Sequence, residues 1–301
     1  MKEVLYTKYN SLRKPEYQIS TSIYLEDNQK YVEKKAIAKS AIAHIETLSR
    51  NADLIRDLYA DTKILSGEKK EKSIVFPFLE GKSLLADVDV EHASLEEIIQ
   101  SLQKILNKIN HYNASYVSEF ETTPEFKAFF GEVSLEAEPA ISIANLDGIF
   151  GNFIETRDGS MWCIDCEWVV EFPVPIRFIS YRCLQYFYIE NYIFLRNKAE
   201  EADFIKAFGF SDEDLQVFGA MEAAFQQQIF GKNHEYVYVN NYKKSSVTFE
   251  SAMNCLEDKN RDLERIVAEQ QAYIERMQKA MKNPFYALGV VAKKVKGKIF
   301  K

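Results

Sequence analysis

One stretch constrains this chain more than any other, residues 141–168, which read ISIANLDGIFGNFIETRDGSMWCIDCEW. Two apolar, strand-like runs at 149–154 and 161–164 are separated by an Asp-Gly turn at 157–160. An Asp-Gly pair between apolar runs is a strong hairpin signal. The pattern predicts a loop, a short strand, a tight turn and a second strand.

Three polar residues accompany this predicted hairpin: Asp147, Asn152 and Asp165. We expect Asn152 and Asp165 to lie close across it, with Asp147 on the loop before it. The set suits phosphoryl transfer, in which one carboxylate takes the proton of the attacking hydroxyl and oxygen ligands hold magnesium. Asp147 is the candidate base, and Asn152 and Asp165 are the candidate metal ligands. The alternative is a hairpin without catalysis, because turns use Asp, Asn and Gly anyway.

The order Asp, Asn, Asp resembles the protein-kinase set. Position 145 is Asn where protein kinases have His, and the second motif reads Asp-Cys-Glu-Trp rather than Asp-Phe-Gly. Glu167, two residues after Asp165, looks more like the choline-kinase and aminoglycoside-phosphotransferase branch. ANLDGIFGNF, IDCEW and FPVPIRFISYRCLQYF most resemble kinase-like domains of bacterial surface-polysaccharide assembly, including chain-terminating kinase–methyltransferases of O-polysaccharides.

This resemblance implies an α+β, bilobal kinase-like fold with a small β-rich N-lobe, a mostly helical C-lobe and a C-terminal helical extension. Expected boundaries are 1–80 for the N-lobe, 81–249 for the C-lobe and 250–301 for the extension. The implied cofactors are ATP and Mg²⁺. The implied acceptor is a hydroxyl of a sugar or glycan intermediate, with Glu167 and Asn145 as candidate supports for metal or acceptor.

The N-terminal segment supplies a candidate phosphate-binding lysine. Lys34 shares one face of a predicted strand with Val32 and Ala36, whereas Lys35 points to the other face. A helix predicted over 38–60 carries Glu46, which we expect to pair with Lys34. The alternatives are a solvated Lys-Lys pair and a surface glutamate.

The strand predicted at 73–79 resembles the segment that joins kinase lobes, where backbone groups of Phe76, Phe78 and Leu79 would bind adenine. Pro77 donates no N–H. The first glycine of the chain is Gly67, so no glycine-rich loop lies in the N-lobe. The basic turn Arg13-Lys14 is the candidate to cover the phosphates instead.

Helical periodicity dominates the second half of the sequence. Residues 94–112 begin with Ser94 as cap and Glu97 at the capping-box position. Further helices are predicted at 176–195 and 204–230. Arg177 and Arg182 lie in the first of these helices. They either pair with acidic residues near the site or form buried ion pairs.

Residues 250–281 are charged and predicted to be helical. They form either a coiled coil or a single helix packed on the lobe. A coiled coil would serve self-association or bind a glycosyltransferase or methyltransferase partner. Residues 282–301 contain six Lys and no acid. The apolar face predicted for 284–301 favours binding to an anionic membrane surface; a disordered tail is the alternative.

Composition narrows the function classes. A net charge of −7 argues against nucleic-acid binding. The four Cys have no metal spacing and are expected to be reduced. No signal peptide is recognisable, so a cytoplasmic location is expected, with a peripheral position at the inner face of the membrane if the tail binds lipid. Two functions stay open beside a phosphotransferase: a catalytically silent pseudokinase scaffold and a tethering module of a polysaccharide-assembly complex.

Overall fold

A computed structural model describes residues 2–231 and the isolated helical positions 267, 271 and 275. The coiled coil predicted for 250–281 and the tail predicted for 284–301 lie outside the described residues. The strands are β1 (Glu3–Tyr9), β2 (Ile19–Glu26), β3 (Gln29–Ala36), β4 (Thr62–Ile64), β5 (Glu68–Lys69), β6 (Ser73–Pro77), β7 (Gly81–Ser83), β8 (Val117–Glu119), β9 (Pro139–Ile141), β10 (Ala144–Asn145), β11 (Phe153–Thr156), β12 (Met161–Cys163), β13 (Val169–Val170) and β14 (Val174–Pro175). The helices are α1 (Ile42–Leu54), α2 (Leu95–Ile109), α3 (Pro124–Phe130), α4 (Ile176–Glu190), α5 (Tyr192–Leu195), α6 (Glu201–Lys206) and α7 (Asp212–Phe230).

The N-terminal lobe is an antiparallel sheet in the order β1-β2-β3-β6-β5. β2 and β3 are joined by a two-residue turn at Asp27 and Asn28, whose φ angles of 49° and 64° are those that a tight hairpin requires. Helix α1 packs on this sheet through Ile45 and Leu48. This small core holds β3 in a fixed position above the second lobe.

The second lobe is mostly helical, and its core is built from aromatic side chains of α3, α4, α6 and α7. A four-stranded sheet in the order β4-β12-β11-β7 lies beside it. An antiparallel β-rich N-terminal part followed by a mostly helical part confirms the predicted α+β fold with a small β-rich N-lobe and a helical C-lobe. Among the described helices, none is long and apolar enough to cross a bilayer.

Two predicted helices are shorter than their apolar periodicity suggested. The helix predicted to run to residue 195 is interrupted at Asn191, between α4 and α5. The helical region predicted at 204–230, with Asp212 to Asp214 at its start, contains two helices, α6 and α7, and Gly209 at a φ of 85° lies between them. Apolar periodicity continues across both breaks, so it could not reveal them.

The capping box predicted for α2 is confirmed. Ser94 Oγ accepts from Glu97 N at 3.3 Å, and Glu97 Oε2 accepts from Ser94 N at 2.8 Å. Ser94→Ala should therefore lower the free energy of unfolding by about 1 kcal/mol. Ser101→Ala, on the same helix, is the matched control and should change it by less than about 0.5 kcal/mol. Equal losses in urea unfolding would show that the cap contributes nothing specific.

Candidate active site

The predicted hairpin is formed by β11 and β12, with Phe153 opposite Cys163. Its turn uses Gly159 at a φ of 78°, a left-handed conformation that favours glycine. The first strand begins later than predicted, because residues 150–152 form a 3-10 turn. Ile164 N donates to Asn152 O at 2.9 Å, so Asn152 and Asp165 lie on neighbouring ends of the two strands as the sequence predicted.

Asn145 joins the loop of Asp147 to the segment of Asp165. Its Oδ1 accepts from Asp147 N at 3.0 Å, and its Nδ2 donates to Asp165 O at 3.1 Å. Only 1% of Asn145 is exposed. Its side-chain amide therefore holds the two loops together, and its predicted support of metal or acceptor stays a prediction.

The Asp147 carboxylate is oriented by backbone rather than by another side chain. Trp168 N donates to its Oδ2 at 3.0 Å. Asn152 Nδ2 donates to Asp147 O at 2.9 Å, so the side-chain oxygen of Asn152 is its candidate atom for contact with a metal ion. These bonds fix the relative positions of the predicted base and of one predicted metal ligand.

Helix α4 anchors the Asp147 loop on both sides. Arg182 Nε donates to Leu146 O at 3.0 Å, and Cys183 Sγ donates to Gly148 O at 3.2 Å. A Cβ at position 148 would lie 3.0 Å from Asn145 O, so a larger residue there would require that carbonyl to shift by a few tenths of an ångström. The loop conformation is therefore determined by α4 as well as by its own sequence.

The two arginines of α4 pair with acidic residues of α7, not with site carboxylates. Arg182 forms a buried ion pair with Glu222, and Arg177 forms a partly exposed one with Asp214 at 2.7 Å. Of the two alternatives that the sequence left open, burial pairing holds for Arg182, whereas Arg177 pairs neither in burial nor with a site carboxylate. Arg182 still serves the site through its bond to Leu146.

Lys34 reaches from β3 to Asp165. Its Nζ donates to Asp165 Oδ1 and Oδ2 at 2.6 and 2.7 Å and lies 3.5 Å from Glu167 Oε2. Lys34 is 7% exposed, whereas Lys35 is exposed, as the face assignment predicted. Burial lowers the pKa of Lys34, but the charges of Asp165 and Glu167 outweigh it and raise that pKa, so Lys34 is a cation.

Glu167 occupies the position of the acidic partner that we had assigned to Glu46. It is 5% exposed and contacts Lys34, Arg13 and His44, whose Nε2 donates to it at 2.8 Å. Burial raises the pKa of Glu167, but Lys34 and Arg13 lower it further than burial raises it, so the carboxylate is charged. Its predicted support of metal or acceptor stays a prediction.

The predicted pairing of Lys34 with Glu46 is wrong. Glu46 lies on the exposed side of α1, where it accepts from Lys69 Nζ at 2.9 Å. His44 and Asn51 are the polar residues of α1 that face the site, and Asn51 Nδ2 donates to the carbonyl oxygens of 166 and 167 at 2.9 and 3.0 Å. The sequence contained a signal for His44, because it lies three residues after Ala41 and four before Leu48 on the apolar face.

Negative charge exceeds positive charge in this cluster, which contains the carboxylates of Asp147, Asp165 and Glu167 and the cations Lys34 and Arg13. Burial and then the charges of Asp165 and Glu167 raise the pKa of Asp147 to about 7. No group of three or more His, Cys, Asp or Glu with metal-site geometry occurs in the described part of the chain. Magnesium on nucleotide phosphates needs fewer protein ligands, and an amide oxygen with one carboxylate fits that hard cation.

A pocket of about 210 Å³ opens beside these groups. Its walls are apolar and come from both lobes, and Lys34, Asn152 and Asp165 lie at its polar end; the remaining lining residues are Thr21, Val32, Leu65, Phe76, Pro77, Phe78, Leu79, Ile154 and Ile164. A larger surface cavity of about 680 Å³ near Gly81 contains none of the polar three. The structure thus places the predicted residues 76, 78 and 79 in one pocket with Lys34, but not Glu46.

Of the comparisons made with known proteins, only the one with solved structures finds proteins similar to this chain. No model of a known protein family and no curated protein matches the sequence. The chain is similar to macrolide 2'-phosphotransferase MphH from Brachybacterium faecium, with 10% identity over 80% of this chain and 91% of that one and a TM-score of 0.35. It is also similar to choline kinase LicA from Streptococcus pneumoniae, with 14% identity over 81% and 92% and a TM-score of 0.36. The structure of a gentamicin–APH(2")-IIa complex matches with 10% identity over 84% and 91% and a TM-score of 0.31.

Proposed function

We propose that the chain is an ATP- and Mg²⁺-dependent phosphotransferase that phosphorylates a hydroxyl group. One observation carries the proposal: Lys34 of the N-lobe contacts Asp165 of the C-lobe at the polar end of an apolar pocket. Asn152 lines the same pocket, and Asp147 is bonded to Asn152. The residues proposed as the phosphate-binding cation, the two metal ligands and the base thus come together from separate parts of the chain.

The pocket suits a purine at its apolar end. Pro77 has no N–H, and Phe78 N donates to Lys30 O at 3.1 Å, so Leu79 is the next residue along the segment with an amide to offer. Lys34 then faces the phosphates, and Asn152 and Asp165 would hold magnesium. When bound, Mg²⁺ would neutralise charge that develops on the transferred group.

Asp147 would accept the proton of the attacking hydroxyl. Its oxygen Oδ2 is held by Trp168 N, so the carboxylate has one fixed orientation. A pKa raised to about 7 matches this task, because a base is most effective when its pKa lies near the working pH.

The acceptor that we propose is a sugar or glycan intermediate of surface-polysaccharide synthesis. It is supported by the resemblance of residues 144–153, 164–168 and 172–187 to kinase-like domains of that process. Together with this acceptor, we propose that residues 250–281 bind a partner and that residues 284–301 bind an anionic membrane surface.

A silent pseudokinase scaffold is the second candidate. It is favoured by the mutual pairing of Arg13 and Lys34 with Glu167 and Asp165, which neutralises these groups without a nucleotide. An inactive fold, however, has no need of a base, an amide and a carboxylate together beside a pocket.

Nucleotide binding separates the two candidates. At a hundred times its dissociation constant, MgATP should stabilise the protein by about 2.7 kcal/mol. For a folded unit of this size that is a rise in Tm of roughly 5–10 °C. The rise should vanish with excess EDTA and in Asp165→Ala, and it should persist in Asp57→Ala, which makes the same change at an exposed position. An unshifted wild-type melting curve would overturn the proposed function.

A further inference from the structure

The loop between β1 and β2, residues 10–18, lies where a kinase-like fold places its phosphate loop. β1 ends at Tyr9, which pairs with Ser20, and Ser20 pairs in turn with Lys35 of β3. The loop therefore leaves the sheet one residue from the level of Lys34, whose side chain lines the pocket. It is the candidate segment of the N-lobe to contact phosphate.

The backbone of this loop is committed elsewhere. A glycine-rich loop binds phosphate with free backbone N–H groups. Here most backbone amides of the loop already donate to carbonyl oxygens. The donors are the amides of Asn10, Arg13, Lys14, Tyr17 and Gln18. Pro15 has no N–H, and Gln18 Nε2 further ties the loop through Ser11 O at 3.0 Å and Arg13 O at 2.8 Å. With most of its amides engaged, the loop can offer a phosphate a cationic side chain.

Arg13, rather than Lys14, is that side chain. Its Nη1 donates to Glu167, the carboxylate that also lies 3.5 Å from Lys34 Nζ. Its guanidinium carbon lies 5.6 Å from the centre of the Trp168 ring, which restricts its orientation. Lys14 points away, since its side chain lies beside Gly231 and its N donates to Ile229 O at 2.8 Å.

One guanidinium can serve both Glu167 and a phosphate. Arginine carries five N–H donors in a planar fork, and Nη1 uses one edge of it for the carboxylate. Glu167, fixed by His44, holds the guanidinium beside Lys34. The site thus brings two cations, one from the loop and one from β3, to the place that a polyphosphate chain would occupy.

From this geometry we infer that Arg13 binds the phosphates of the nucleotide and replaces the missing glycine-rich loop. The inference rests on the proposed function. It assigns a ligand class, the polyphosphate of a nucleoside di- or triphosphate, and it assigns Glu167 and His44 as the residues that position Arg13.

The test compares affinities for MgATP and for adenosine, the first by titration calorimetry and the second by competition. Arg13→Gln should weaken MgATP binding by about 10- to 100-fold, the range of charge-assisted hydrogen bonds, and leave adenosine binding unchanged. Arg13→Lys should recover part of the loss because it keeps the charge. Arg50→Gln is the matched control, because Arg50 is an exposed arginine that pairs with Glu171 outside this cluster; it should leave both affinities unchanged.

A purely structural Arg13–Glu167 pair predicts a different result. Such a pair would lower the affinities for MgATP and for adenosine in parallel when Arg13 is replaced, and parallel losses would overturn the inference. If Glu167 positions Arg13, Arg13→Gln should lower MgATP affinity less in the Glu167→Gln background than in wild type; equal losses of MgATP affinity in the two backgrounds would overturn the positioning role of Glu167. Absence of MgATP binding to wild type would instead refute the proposed function on which the inference rests.

Discussion

Asp147→Asn is expected to reduce phosphoryl transfer by about 10²- to 10⁴-fold, the range for removal of a positioned base. The asparagine has nearly the shape of the aspartate, and its Oδ1 can still accept from Trp168 N, so the loop should keep its conformation. An amide takes no proton at neutral pH. MgATP affinity should be retained, because the groups that we propose to face the nucleotide are Arg13, Lys34, Asn152 and Asp165, and not Asp147. Transfer is measured as phosphate incorporation into an acceptor panel or as ATP hydrolysis.

The same variant makes a stability prediction with a definite sign. The pKa of Asp147 is raised to about 7 in the folded protein by burial and by Asp165 and Glu167. A carboxyl whose folded pKa is raised favours folding below its unfolded pKa, and that contribution is lost as pH rises through about 7. Above that pH, Asp147→Asn should unfold at a temperature equal to or higher than wild type. A wild-type transfer rate, or a clear loss of stability at pH 8, would contradict the assignment; Asp57→Asn is the control for both.

Arg182→Met is expected to destabilise the protein by about 3–5 kcal/mol, the cost of leaving a buried charge without its partner. Arg182 is 2% exposed, and Glu222 is 6% exposed. The substitution also removes the bond to Leu146 O and the stacking against Phe225, at 4.4 Å from its ring centre. Urea unfolding would measure the loss, and Arg177→Met, whose pair with Asp214 is partly exposed, should cost about 1 kcal/mol or less.

A double variant separates the ion pair from the anchor of the Asp147 loop. Arg182→Met with Glu222→Leu should regain much of the lost stability, because apolar residues often replace a buried pair without penalty. Transfer should stay low, because the contact from Nε to Leu146 O is still missing. Full recovery of transfer would show that the bond from Arg182 to Leu146 O does not position Asp147.

Local sequence was sufficient for the hairpin. The Asp-Gly turn, the alternation along β11 and β12 and the position of Asp165 at the end of β12 involve residues close together in the chain. The inward direction of Lys34 followed from the alternation of side chains along a strand. The capping box of α2 followed from the spacing of Ser94 and Glu97. Such features depend on backbone geometry over a few residues, so a single sequence specifies them.

The partners of the site were decided only by tertiary structure. Lys34 and Asp165 are 131 residues apart in the chain, and Arg13 and Glu167 are 154 apart. A strand lysine beside a helix with one early acid made Glu46 the natural local choice, yet the fold turns Glu46 to solvent and brings Glu167 beneath Lys34. The sequence alone determined which residue types stand at the hairpin and which face each element buries. The packing of α1, the β1–β2 loop and the C-lobe decided which charges pair. A buried charge is costly unless it is paired, and the fold determines which opposite charge lies within reach.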